Sequence, residues 1–196
     1  MISRDEKPKV FKKELEFIKD SGLRQFATDL LKEVPSYFFE VPASSTGKYH
    51  PRYAQGNGGL VRHVKACMMV AKSLFNISAF NEREQDLILI ALLFHDSIKK
   101  GASNNTYTSF THPIQASDFV RRNYYQNLEK YKHVLSGEEI LFICKGIESH
   151  MGKFNWDRDK TPILPTPRSK SEYFIHMCDY LGSRKFLEVN FAVEVV

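Results

Sequence analysis

Apolar positions recur at helical spacing almost throughout the chain. Val10, Phe11, Leu15 and Ile18 form a first amphipathic stretch, and Leu23, Phe26, Ala27, Leu30 and Leu31 repeat it after Gly22 until Pro35 closes the segment. Residues 35–58 carry Pro42, SSTGK, Pro51 and GNGG and read as loop. Val64, Cys67, Met68, Ala71 and Leu74 then predict a helix over Leu60 to Phe75. The next helix, Glu84 to Lys99, is apolar on most sides and is expected at the centre of the molecule. Residues 101–110 are polar and turn-rich, suited to a short hairpin. Thr111-His112-Pro113 looks like a helix start, because proline suits the first helical position. Ser136 with Glu139, and Ser169 with Glu172, have capping-box spacing. The first opens a helix running to about His150, and the second opens a last helix bearing Phe174, Met177, Cys178, Leu181 and Phe186. Pro162, Pro165 and Pro167 mark an extended connector between them. The expected fold class is all-α.

Length and composition narrow the class. A chain of 196 residues, 42% hydrophobic and 26% charged, fits one globular domain with a real core. No internal repeat, low-complexity stretch or linker divides it, so residues 1–41 are expected to form helices packed on a motif-bearing core at 42–186. No apolar run approaches the roughly 18 residues that cross a bilayer, and the charged amino-terminal stretch lacks the apolar core of a secretory signal. A cytoplasmic location is the default expectation, and nothing calls for an obligate protein partner. Cys67, Cys144 and Cys178 are far apart, odd in number and lack CxxC spacing, which argues for buried free thiols over disulfides or a thiolate zinc site. The net charge of +5 and the pI near 9.0 favour anionic partners without marking a dedicated nucleic-acid binder.

The chemistry concentrates at His95-Asp96, where the most apolar helix ends. Chance alone supplies about 0.3 such dipeptides in a chain of this composition, so the setting carries the weight. Leu93 and Phe94 place the pair at the edge of the core, where an unpaired carboxylate is costly and a bound cation relieves the cost. His63, His112 and His150 lie near helix ends beside glycine or proline, and Asp179 lies within the last helix. Imidazole with carboxylate and no thiolate suits a divalent transition metal: manganese, iron, cobalt, nickel or zinc.

The succession His63, His95-Asp96, Asp179 resembles the H…HD…D signature of the HD superfamily of metal-dependent phosphohydrolases. GGLVRH is similar to the entry to that family's first ligand helix, and HDSIK to its HDxGK block. THPIQA and SHMGKFNW are similar to segments that supply further histidines in two-metal members, and HMCDYLGSR to the final aspartate helix. KYHP resembles a segment found before GGL in HD-type 3′-to-5′ exoribonucleases and related phage and bacterial proteins. Together these motifs cover residues 42–186.

The resemblance implies an HD-domain helical bundle holding one or two metal ions. His63, His95, Asp96 and Asp179 would bind the first, and Asp96 would bridge to a second held by His112 and His150. Such ions lower the pKa of a shared water and neutralise phosphoryl charge. Lys99 would meet a substrate phosphate; His50, Arg62, Lys153, Trp156 and Arg184 are further candidate substrate contacts. The implied activity is phosphodiester hydrolysis on a nucleotide or short RNA. Alternatives are a nucleoside mono- or triphosphate phosphohydrolase, an HD oxygenase with a di-iron centre, and a non-catalytic HD module binding a nucleotide or protein. Two departures stand out: Ile98 replaces the usual glycine of HDxGK and is expected to affect how closely substrate approaches that turn. Ser149 replaces the second histidine common in cyclic-dinucleotide phosphodiesterases, whose GYP segment is also missing.

Overall fold

The computed structural model describes residues 2–44, 50–101 and 107–187. Lys48 and most of SSTGK, the first half of KYHP and half of the expected 101–110 hairpin lie outside the described residues. The fold is all-α: among the described residues there is no β-sheet, only an isolated antiparallel bridge between Trp156 and Pro162. The helices are α1 (Lys7–Val10), α2 (Lys12–Leu15), α3 (Ser21–Glu33), α4 (Gly59–Phe75), α5 (Glu82–Phe94), α6 (His112–Gln126), α7 (Leu128–Tyr131), α8 (Gly137–Ser149) and α9 (Lys170–Gly182). No described helix is long and apolar enough to cross a membrane.

Helix α5 is the axis of the bundle. Every residue from Asp86 to Phe94 is buried, and α4, α8 and α9 all pack against it, with α6 on the outer side of α8. A capping box opens α5: Asn81 accepts from the Glu84 amide while the Glu84 carboxylate accepts from the Asn81 amide. The helix therefore starts two residues earlier than its periodicity suggested. It also stops sooner, at Phe94. Beyond it the backbone tightens into turns, with Ser97, Lys99 and Gly101 amides bonding the carbonyls of Phe94, Asp96 and Ile98. The expected helix end at Lys99 is corrected to a helix end followed by a coil of turns that carries Asp96.

The amino-terminal stretch also departs from the expected single helix. It forms two one-turn helices broken at Phe11, whose fully buried ring stacks on Phe38 at 6.1 Å. Residues 35–58, read as loop, include a short 3-10 turn, Ser36–Phe39, that buries Tyr37, Phe38 and Phe39. Gly22 does not break the chain but lies in the first turn of α3, where a β-carbon would meet Val134 Cγ1 at 2.7 Å. The start of that helix is set by Asp20, which accepts from the Leu23 amide. Asp86, buried at the head of α5, takes the Lys19 and Asp20 amides at 2.8 Å each and ties the two helices together. One continuous cluster of buried apolar residues extends from Phe11 to Cys178, and all three cysteines are buried free thiols.

Candidate metal centre

Five helices bring their ends or inner faces to one place. His63 lies in the second turn of α4, His95 caps the end of α5, Asp96 follows it, and His112 opens α6. His150 caps the end of α8, and Asp179 lies in the last turns of α9. His63, His95, Asp96, His112 and His150 are all buried, and Asp179 is largely so.

Three histidines are oriented by one device. The Nδ1 of His95 lies 2.6 Å from the Leu92 carbonyl, that of His112 lies 2.8 Å from Ser109, and that of His150 lies 2.7 Å from Ile147. Each carbonyl belongs to the residue three positions earlier. A carbonyl only accepts, so each Nδ1 must carry the proton, which leaves Nε2 as the ring's donor atom toward the cluster. The helix-end turn supplies both the acceptor and the ring orientation.

Asp96 divides the group in two. Its Oδ2 faces His95 Nε2 at 3.5 Å and His63 Nε2 at 3.7 Å, while its Oδ1 faces His112 Nε2 at 3.0 Å and His150 Nε2 at 3.8 Å. Asp179 Oδ1 closes the first half, 3.0 Å from His63 and 3.5 Å from His95. His112 and His150 approach each other Nε2 to Nε2 at 3.3 Å in the second. His95 Nε2 and Asp96 Oδ1 are buried without an aligned hydrogen bond. Sets of donor atoms from His63, Cys67, His95 and Asp179, and from His95, Asp96 and His150, each lie within 4.8 Å of one another.

The electrostatics favour positive charge here. Burial alone would raise the pKa of Asp96, yet Lys99 and the neighbouring His95 and His112 hold it well below the usual carboxylate range. Asp179 is likewise depressed against burial, by His63 and His95. Burial would lower His95, but the Asp96 and Asp179 carboxylates raise it. His150 is pushed down to about 3 by burial and by the proximity of His95. The two carboxylates thus favour positive charge beside them, and the Lys99 ammonium lies on Asp96 Oδ2. A divalent cation meets the same demand, and the nitrogen and oxygen donors fit one.

The substrate-contact candidates separate. Lys99 is at the cluster, its ammonium on Asp96. His50 is there too: its ring lies 5.0 Å from that of His63, and its Nδ1 is buried without a partner. Burial, and the proximity of His63, hold His50 down to about 3. Arg62 belongs elsewhere. It donates to the Tyr53, Gln55 and Asn57 carbonyls and clamps the loop before α4, since one residue along a helix turns it away from His63. Arg184 lies at the end of α9, over the Tyr180 ring at 4.1 Å, and donates to the Tyr180 carbonyl and Ser183. Lys153 and Trp156 are exposed on the segment after α8.

Ile98 does not approach the cleft. Its side chain is buried in the apolar core, so its expected effect on substrate approach is replaced by a packing role. The donor that sequence reading missed is Cys67. Its Sγ lies 3.7 and 3.8 Å from the two ring nitrogens of His63, and the available signal was the four-residue spacing from His63 on one helix face. Burial, reinforced by Asp179, raises its thiol pKa well above the ordinary value. His176 donates from Nδ1 to the His150 carbonyl at 2.6 Å and so braces the turn that carries that histidine.

Comparison with known proteins gives relatives but no matching family model and no matching solved structure. A protein of Shouchella clausii named 3'-5' exoribonuclease YhaM is 26% identical over 171 residues, 85% of this chain and 49% of that protein. Proteins of the same name from Geobacillus sp. and Listeria innocua are each 25% identical, covering 85% and 83% of this chain. The chain spans about half the length of these curated relatives, 48% to 50%. Across most of its own length, then, the chain is similar to proteins named as 3'-5' exoribonucleases.

Proposed function

We propose that this protein is an HD-type metal-dependent phosphohydrolase that cleaves phosphodiester bonds of a short RNA or nucleotide with water. The observation that carries the reading is the division of Asp96: one carboxylate oxygen faces His63 and His95, the other faces His112 and His150. A bridging carboxylate between two imidazole groups is what a two-ion site requires. The similarity to named exoribonucleases supports a phosphodiester substrate.

His63, His95, Asp96 and Asp179 would hold one ion, and Asp96, His112 and His150 the other. Bound there, the ions would supply a water of lowered pKa and offset charge developing on the phosphoryl oxygens. The chain's own residues do the rest. The backbone-held imidazoles fix the direction of their Nε2 atoms, so little rearrangement accompanies binding. Lys99, displaced from Asp96 by an ion, becomes a mobile cation for a phosphate oxygen. His50 adds a further nitrogen beside His63. In the reaction the water oxygen forms the new bond to phosphorus, the bond from phosphorus to the leaving ribose oxygen breaks, and the water's proton passes to that oxygen.

The test couples elemental analysis to hydrolysis of bis(p-nitrophenyl) phosphate with added manganese. Wild type is expected to carry metal and turn over, and Asp96→Asn to lose activity by well over about 100-fold. A folded wild type that stays metal-free and inactive after supplementation would remove the catalytic reading in favour of a binding module.

A further inference from the structure

The segment after the second histidine pair is not a plain extended connector. Between Asn155 and Leu164 it folds back as a small hairpin: the Asp157 amide donates to the Thr161 carbonyl at 3.0 Å, the Ile163 amide to the Asn155 carbonyl at 2.9 Å, and Trp156 bridges Pro162. The Asp157 carboxylate holds the tip, accepting the Asp159 and Thr161 amides. On this braced finger Trp156 is 43% exposed, with Phe154 beside it at 41% and Phe110 opposite at 47%. Large rings exposed in one place on a rigid support call for a partner.

Two of the three rings carry a cation. Lys153 lies over the Phe154 ring at 5.4 Å, and Arg158 reaches across from the hairpin to lie over Phe110 at 6.0 Å. The Phe154 and Trp156 rings meet edge to face at 6.2 Å, forming an angled corner. The patch is also mounted on the candidate centre. Phe110 lies between Ser109, whose carbonyl orients His112, and His112 itself, while Phe154 bonds through its amide to Met151, next to His150.

We infer that Phe110, Phe154 and Trp156, with Lys153 and Arg158, form a stacking platform for bases of single-stranded RNA beside the His112–His150 half of the centre. The inference rests on the proposed phosphodiesterase reading for its choice of occupant. Flat rings flanked by cations suit a strand whose bases stack while its phosphates meet the charges. A polynucleotide carries a phosphate for every base and so brings rings and counterions together, and the excess of positive charge in the chain favours such an anion. Stacking tolerates any base, so the platform would grip the strand without selecting its sequence, and its place beside the centre would set which linkage lies over the ions.

Trp156 is the only tryptophan in the chain, so its fluorescence reports on the platform directly and needs no turnover. A single-stranded oligoribonucleotide, titrated in the presence of a chelator, is expected to quench Trp156 saturably. An abasic strand of the same length, which carries phosphates without bases, should not. Phe110→Leu, read by the same quenching, should weaken oligonucleotide binding about ten-fold. In steady state, Trp156→Leu should raise KM for the oligonucleotide by a similar factor with kcat little changed. Equal quenching by the abasic strand, or no quenching by either, would overturn the platform. Quenching by the oligonucleotide in a protein that fails to hydrolyse any phosphodiester would uphold the platform and remove the catalytic reading instead. Hydrolysis without quenching, and with KM unmoved in Trp156→Leu, would do the reverse.

Discussion

At the scale of single residues, the polar groups in the interior are placed by partners that can be named. Asp29 on α3 is an example away from the centre: its carboxylate receives Lys130 at 2.5 Å, the Tyr131 hydroxyl at 2.6 Å and Lys32 at 2.9 Å, joining α3 to α7. Burial would raise its pKa, but these three donors outweigh it and hold the group below the usual carboxylate range. A folded-state pKa below the unfolded value of about 3.9 means the stabilisation is present above that pH and is lost as the pH falls below it. Asp29→Asn is therefore expected to cost about 1–2 kcal/mol at pH 7, read by urea unfolding, with the gap to wild type narrowing at pH 3. A gap that stayed constant would show that shape, not charge, matters at this position. The same residue-level view explains which site candidates were legible. His63 and Cys67 share a helix face, but Arg62, adjacent in sequence, turns away to loop carbonyls. Adjacency in sequence was the wrong measure of nearness there.

At the scale of elements, the ends of helices decide the site, and ends are where a periodic pattern says least. Ser136 and Glu139 announced the start of α8 in sequence because both halves of the capping box lie within four residues, and both bonds form. Ser169 and Glu172 achieve only half of theirs: Ser169 caps the Glu172 amide, but the Glu172 carboxylate accepts from Arg168. The end of α5 was hidden because Ile98, four residues after Phe94, keeps the apolar rhythm while the backbone has already left the helix. The break at Phe11 was hidden for another reason. Its cause is contact with Phe38, distant in sequence, which overrides local preference. The end of α8 offers a test. Gly152 adopts a φ of 56°, and a β-carbon there would meet the His176 ring at 2.3 Å. Gly152→Ala is expected to cost about 1–2 kcal/mol for the left-handed backbone alone. Displacing His176 from the His150 carbonyl should also raise the manganese concentration needed for half-maximal activity. Lost stability with an unchanged manganese requirement would show that His176 does not brace the ligand.

At the scale of the whole molecule, the candidate centre draws on five helices that pack against one another in one bundle, so an ion bound there should report on the bundle as a unit. Manganese at about 100 times its dissociation constant adds about 2.7 kcal/mol, which for a chain of this size raises Tm by about 5–10 °C. Calorimetry with manganese and with chelator measures the shift; coincident transitions would exclude a metal shared among these helices. The all-α class was legible because the apolar spacing is long and regular, whereas the hairpin at Trp156 was not, since two bridging residues and a carboxylate tip leave no periodic trace. Each of three imidazoles is oriented by a carbonyl of its own turn, so its aim is settled by short-range structure as soon as that turn forms. The bundle has only to bring finished pieces together, and an ion bound there would meet imidazoles already aimed. Metal-free and metal-loaded protein should then differ little in backbone, with the exchange visible mainly in where Lys99 points.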